Sequence, residues 1–199
     1  LVYIFQQLAK KGKAEGIDDT IRQKDTRTWF REQASKVTSV NKNRMMNDKE
    51  NVKPSISNED VGRMVMFFYD PKHKATLPYY DTFPLIFPLS FTETGFIGIN
   101  LHYLPPVLRA KLMDALYNTV NNRKYDDTTK LKISYDILNS ASKYKYFKPC
   151  VKQYLWNHVQ SKFLNIEVRM WDAALMLPTE RFQKKSKQYV FNESQGMVK

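Results

Sequence analysis

Apolar side chains fall at Leu1, Ile4, Phe5 and Leu8, the i, i+3, i+4, i+7 spacing that lines one face of a helix. This predicts a short amphipathic helix over residues 1–12, stopped by Gly12 or Gly16. A second helix is expected from Asp18 and Asp19, whose carboxylates suit the positive end of a helix. It carries a narrow apolar stripe of Ile21, Trp29, Phe30, Ala34 and Val37. From Ser39 to Asp60 the chain is polar, asparagine-rich and aperiodic, and reads as an extended linker. Residues 1–60 are therefore read as an N-terminal arm that gains its order by lying on another surface.

The pattern changes at Gly62. GRMVMFFYD is a short apolar run bounded by glycine and by Asp70-Pro71, as a buried strand ending in a turn would be. FPLIFPLSF is a second extended run. Its Pro84 and Pro88 cannot both serve a central ladder, so an edge strand or a bulged one is expected. Thr92-Glu93-Thr94-Gly95 predicts a hairpin turn, with Gly95 available for positive φ. GFIGINLHYL returns as a third strand, with Phe96, Gly98, Asn100 and His102 on one face and Ile97, Ile99, Leu101 and Tyr103 on the other. In the connection, YDPKHKATLPYYDTFPLIFPL, the prolines stiffen the chain and blunt an exposed sheet edge, while Tyr79, Tyr80 and Phe83 cap a small β-core.

Pro105-Pro106 opens a helix with Leu108, Leu112, Ala115 and Leu116 inward. Asp126 or Asp127 caps another, with Leu131, Tyr135, Leu138 and Ala141 inward. Pro149 starts a third, with Val151, Leu155, Val159 and Phe163 at four-residue spacing. In FLNIEVRMWDAALMLP the second half reads either as a helix or as a strand bent at Asp172, and the strand is favoured. The expected fold is α+β: a small, mostly antiparallel β-sheet or partly open barrel with an N-terminal helical arm. Its compact core spans residues 61–182, with a helical insertion over 105–163, and residues 183–199 form a basic, polar tail.

Composition supports a core: of 199 residues, 42% are hydrophobic and 14% aromatic. The net charge of +12 is uneven, since residues 123–199 hold 15 Lys and Arg against 7 Asp and Glu. Such a basic C-terminal part suits nucleic acid, an anionic membrane or an acidic protein, and equally a solvated lysine-rich face. The lone Cys150 excludes an internal disulfide and fits a reducing compartment. No apolar run approaches the roughly 20 residues of a membrane span. Basic residues follow the apolar start, the reverse of a signal peptide, and the native beginning is expected upstream of Leu1.

Catalytic signatures are sparse. Gly95-Phe96-Ile97-Gly98 is a hairpin feature, not a phosphate loop. His73, His102, His158 and Cys150 are too dispersed for zinc, so no metal and no cofactor are expected. Cys150 would be a nucleophile only beside a histidine, and an inert buried thiol is favoured. Asp70 and Asp81 could pair as the acids of a nuclease or glycosidase, but both sit where turns use aspartate to bond their own backbone. The turn reading is favoured. Glu180 and Arg181 read as a surface ion pair or a partner contact. The best ligand signal is KYKYFKPCVK, where Lys143, Lys145, Lys148 and Lys152 interleave with Tyr144 and Tyr146. Lysines neutralise phosphates and aromatic faces stack on bases, so the run suits a single-strand platform; closure of a helical subdomain is the competing reading.

The strings GRMVMFFYDPKHKATLPYYDTFPLIFPL, GFIGINLHYLPPVLRAKLMDALY, KPCVKQYL and LPTERF, spread over residues 60–183, resemble a family of virion or assembly proteins of large T-even-like, contractile-tailed bacteriophages. That resemblance implies no catalytic motif.

The first expectation is a non-enzymatic structural protein of the virion, in the tail, baseplate or neck, without a membrane or small-molecule substrate. Leu1, Ile4, Phe5, Leu8, Trp29 and Phe30 would anchor the arm on neighbouring subunits of a symmetric assembly. Removing residues 1–40 would then leave a folded core that fails to incorporate. The second expectation is a DNA-binding protein that contacts or protects genome ends through the lysine–tyrosine run. An enzyme using Asp70 and Asp81 comes third.

Overall fold

The computed structural model describes residues 4–17, 24–120, 135–136, 138–140 and 145–197, with backbone alone at 115–120 and 145–146. Eight strands are found among them: β1 (Val52–Lys53), β2 (Met64–Met66), β3 (Tyr80–Asp81), β4 (Leu85–Phe91), β5 (Gly95–Asn100), β6 (Val151–Leu155), β7 (Phe163–Ile166) and β8 (Phe182–Gln183). Six form one antiparallel sheet in the order β1-β7-β2-β4-β5-β6, and β3 pairs with β8 in a separate ribbon. The helices are α1 (Ile4–Ala14), α2 (Lys24–Ser35), α3 (Lys42–Met45), α4 (Pro106–Val120), α5 (Trp171–Met176) and α6 (Lys187–Gly196). The α+β class and the open, mostly antiparallel sheet are as expected.

Strand alternation divides the sheet into two faces. Met64, Met66, Leu85, Phe87, Ile99 and Leu164 pack with Phe5, Leu8, Phe30, Ala34 and Ala173 of the helices. Val65, Ile86, Phe96, Tyr154 and Phe163 point the other way, into a smaller cluster around Phe67. The expected split of β5, with Phe96 opposite Ile99, is found.

The N-terminal helices are part of this core rather than an outreaching arm. Phe5 is 1% exposed and Phe30 0%, and each contributes on the order of 2–3 kcal/mol by burial. Ile4 and Trp29 are partly buried against the same cluster. Leu1, like the expected helix start at Asp18 and Asp19, lies outside the described residues. The first helix ends at Gly16, whose φ of 74° places it in the left-handed region. Gly16 N–H then reaches Lys13 O and Ile17 N–H reaches Gly12 O, a Schellman stop.

Residues 39–60 are also more structured than an extended linker. Asn41 caps α3, Met45 is buried, and β1 pairs with β7. Asp60 closes a capping box with Ser57 and accepts Lys53 Nζ at 2.7 Å.

The proline-bearing strand is not at the edge, because β4 lies between β2 and β5. The alternative form of that expectation, a bulge, is present between Pro88 and Ser90. A strand residue points its N and O toward the same neighbour. Pro88 O accepts Gly62 N–H at 3.3 Å, so the missing N–H faces the stretch where β2 has not yet begun. The Thr92–Gly95 turn forms, with Thr92 N–H bonded to Gly95 O at 2.8 Å. Gly95 is required there for close approach rather than for positive φ: a Cβ would stand 1.9 Å from Tyr154 O.

Past Pro106, which begins α4 as expected, the helical insertion over 105–163 is only partly right. The helix expected from Asp126 or Asp127 lies mostly outside the described residues, although Leu138 is buried in the core. Val151–Leu155 is the strand β6 and not a helix, since it finds β5 as a hydrogen-bonding neighbour. Phe163–Ile166 is the expected returning strand, but Asp172 lies in helix α5. The C-terminal residues are not a loose tail: Ser186 caps α6, and Val190 and Phe191 are buried.

Candidate nucleic-acid interface

The β3–β8 ribbon stands off the main sheet and is held by one carboxylate. Asp81 Oδ1 accepts the N–H groups of Phe83 at 3.0 Å and Arg181 at 3.1 Å. Asp81 Oδ2 accepts Asn100 Nδ2 at 3.1 Å and meets His102 Nδ1 at 2.6 Å. On its far side the imidazole meets Thr179 Oγ1 at 2.9 Å. Burial pushes the Asp81 pKa up, but His102, Phe83 N–H and the Asn100 amide together pull it below the usual carboxylate value. Thr179, His102 and Asp81 follow the order of a hydrolase triad, yet Thr179 and His102 are 0% exposed and Asp81 4%. A nucleophile must reach its substrate. In this structure the three groups join the ribbon to the sheet.

Two clefts flank the ribbon. One, of about 520 Å³, opens above β5 and β6 and is walled by the loop after Pro71, with Lys72, Tyr79, Tyr80, Tyr103, Lys152 and Tyr154 in its lining. That loop is tied down by Lys184, whose Nζ donates to Ala75 O at 2.9 Å and Leu77 O at 2.8 Å. Tyr79 lies 6.1 Å from Tyr103 and 6.2 Å from Tyr189, which extends the aromatic wall to α6. The other cleft, of about 510 Å³, is more open and holds Asn43, Phe68, Lys74, Thr82 and Arg181. Tyr69 and Tyr80 line both.

Lys152 is the telling residue of the first cleft. It sits on β6 opposite Gly98, and its Nζ lies 4.1 Å above the Tyr103 ring. Among the described residues no carboxylate pairs with it. Burial lowers its pKa. A half-buried ammonium with an aromatic face and no anion is a ready phosphate ligand.

The structure thus gathers only part of the expected lysine–tyrosine platform. Lys152 enters the cleft, and Lys148 is exposed outside its lining. Lys145 and Tyr146 are described in backbone only, in a 3-10 turn that ends at Cys150, and Lys143 and Tyr144 lie outside the described residues. The two acids do not form a pair. Asp70 holds Lys74 Nζ at 2.8 Å on the surface, whereas Asp81 is enclosed and bonds Phe83 N–H as a turn aspartate does. Glu180 is not paired with Arg181; it turns inward toward Arg109 at 3.9 Å and Lys187 at 3.7 Å, while Arg181 lies over Phe68. Cys150 is buried without a histidine, and His158 Nδ1 faces Asp70 O at 2.8 Å.

A family model described as "Phage T4 terminal DNA protecting protein" matches residues 3–195. The chain belongs to that family. The match runs from α1 to α6, well beyond the 60–183 stretch that carried the phage resemblance. The T-even-like phage origin of the resemblance is right at that level. The family's description names a DNA-end protector and not a tail, baseplate or neck component. No curated protein and no solved structure matches the chain. No helix among the described residues is long and apolar enough to cross a membrane.

For this family member, reading the sequence missed Lys72, Tyr79, Tyr80 and Tyr103 as cleft residues. The signal was present in KHKATLPYY, a second run in which lysines precede aromatics. Its proline marks a turn, which favours a scaffold reading from the chain alone. Phe83 is indeed core, but Tyr80 remains half-exposed.

Proposed function

We propose that this protein binds the ends of phage DNA and shields them, the role named for the phage T4 family. The observation that carries the reading is the family match over residues 3–195. The cleft supports it physically: it combines aromatic faces for bases with the ammonium of Lys152, which no carboxylate holds among the described residues. The net charge of +12 adds a sequence-independent attraction for phosphates.

The protector acts by occupancy and not by catalysis, and it resides with the DNA terminus in the virion. The alternative, a scaffold of the tail, baseplate or neck, drew on an exposed apolar arm. Phe5, Leu8 and Phe30 are spent inside the chain's own core, which leaves that reading with less support.

The test is a competition between linear duplex and a covalently closed circular duplex of the same sequence, which has no ends and no loops. Linear DNA should bind more tightly, should resist an exonuclease when the protein is present, and should lose affinity steeply with salt. Equal affinity for the two DNAs, with digestion unslowed, would remove the proposal.

A further inference from the structure

The 520 Å³ cleft has a size and lining that ask for something smaller than a duplex. Tyr80, half-exposed, stacks on no other ring among the described residues, in a molecule where most aromatic side chains are paired. It lines the cleft together with Lys152, with which no carboxylate pairs among the described residues, and Lys72 stands in the same lining. Asp81, the carboxylate in the wall, already accepts two backbone N–H groups and the Asn100 amide and meets His102. Lys184 pins the loop that walls the cleft through Ala75 O and Leu77 O.

We propose that this cleft takes one unpaired nucleotide from the DNA terminus, with its base against Tyr80 and its phosphate on Lys152, assisted by Lys72. The inference rests on the DNA-end reading and makes it specific. An internal base must be unstacked on both sides and unpaired before it can enter a protein pocket, whereas an overhanging base is already unpaired. A pocket for a single loose nucleotide therefore favours an extended end over a fully paired interior. Backbone contacts elsewhere on the basic surface do not discriminate between ends and interiors.

The experiment compares four duplexes of equal paired length: blunt, with a three-nucleotide unpaired 5′ extension, with the same extension at the 3′ end, and a covalently closed circle without loops. Wild type should bind an extended end about tenfold more tightly than the blunt end, and the closed DNA most weakly. Tyr80→Ala should erase the advantage of the extended end, Tyr80→Phe should keep it, and Lys152→Met should lower the salt slope by about 1. Thermal melting checks that the variants fold. Independently of any variant, wild-type protein irradiated with DNA carrying 5-iodouracil at the terminal unpaired position should crosslink within residues 69–80 or 151–155.

Blunt and extended ends of equal affinity, an extended-end preference that survives Tyr80→Ala, or crosslinks confined to other segments would overturn the cleft proposal and leave end binding standing. Equal affinity for closed and open DNA would overturn both.

Discussion

Asp81 and His102 meet at 2.6 Å in the interior, one on the ribbon and the other in the turn after β5. The contact joins elements that are 21 residues apart and places Tyr80, immediately before Asp81, at the junction of both clefts. Asp81→Ala leaves His102, Asn100 and two backbone N–H groups without their acceptor. Loss of one member of a buried pair typically costs about 3–5 kcal/mol, and denaturant unfolding should show a loss in that range.

Acid should reveal the same carboxylate. Burial raises the pKa of Asp81 and of Glu180, but His102 for the former and Arg109 for the latter help pull both below their ordinary values of 3.8 and 4.5. A carboxyl with a depressed folded pKa stabilises the fold above its unfolded pKa, and that contribution disappears as pH falls through the folded one. Stability should thus decline from about pH 4 downward. Urea midpoints measured at successive pH values should fall less steeply for Asp81→Asn than for wild type.

The second helix is clamped to two others through Arg31, whose Nε donates to Asp172 at 2.9 Å and whose Nη2 donates to Asp114 at 2.7 Å. Asp172 is 0% exposed, while Asp114 is half open to solvent. Arg31→Met keeps the stem and removes the charge. It should destabilise the protein by about 2 kcal/mol, chiefly through the Asp172 contact, as read by chemical denaturation.

Removal of residues 1–40, expected from the chain pattern to spare a folded core, should instead expose that core, because Phe5, Leu8, Phe30 and Ala34 fill it. The truncated chain should aggregate or bind a hydrophobic dye. Phe30→Ala alone should cost about 3–5 kcal/mol. A truncated protein with an unchanged melting curve would show that the N-terminal helices are dispensable.

Cys150 is 0% exposed, and burial pushes its thiol up to about 12. The reactive thiolate is therefore scarce at neutral pH. An aromatic disulfide reagent should leave the native protein unlabelled for hours and titrate one thiol promptly in denaturant. Fast labelling without denaturant would refute the packing described for this residue.

Local rules in the chain were enough for several elements. Periodicity located α1, the proline pair located the start of α4, and Thr92–Gly95 announced its turn, since each depends on neighbours within a few residues. The α+β class and the central hairpin of β4 and β5 were legible for the same reason. By contrast, Val151–Leu155 satisfies a helical spacing and becomes a strand because β5 offers it hydrogen bonds from more than 50 residues away. Of the cleft, only Lys152 was legible as a ligand from its surroundings in the chain.

The sequence by itself determined the phage kinship of the chain, its surplus of positive charge and the residue types able to hold a nucleotide. Only the tertiary structure decided that the N-terminal apolar residues face inward and that Lys152 meets Tyr103 across the sheet edge. The reason is physical: an amphipathic stripe specifies that a surface must be covered, but not by what, and a lysine's partner is whichever group the folded chain brings within a few ångströms.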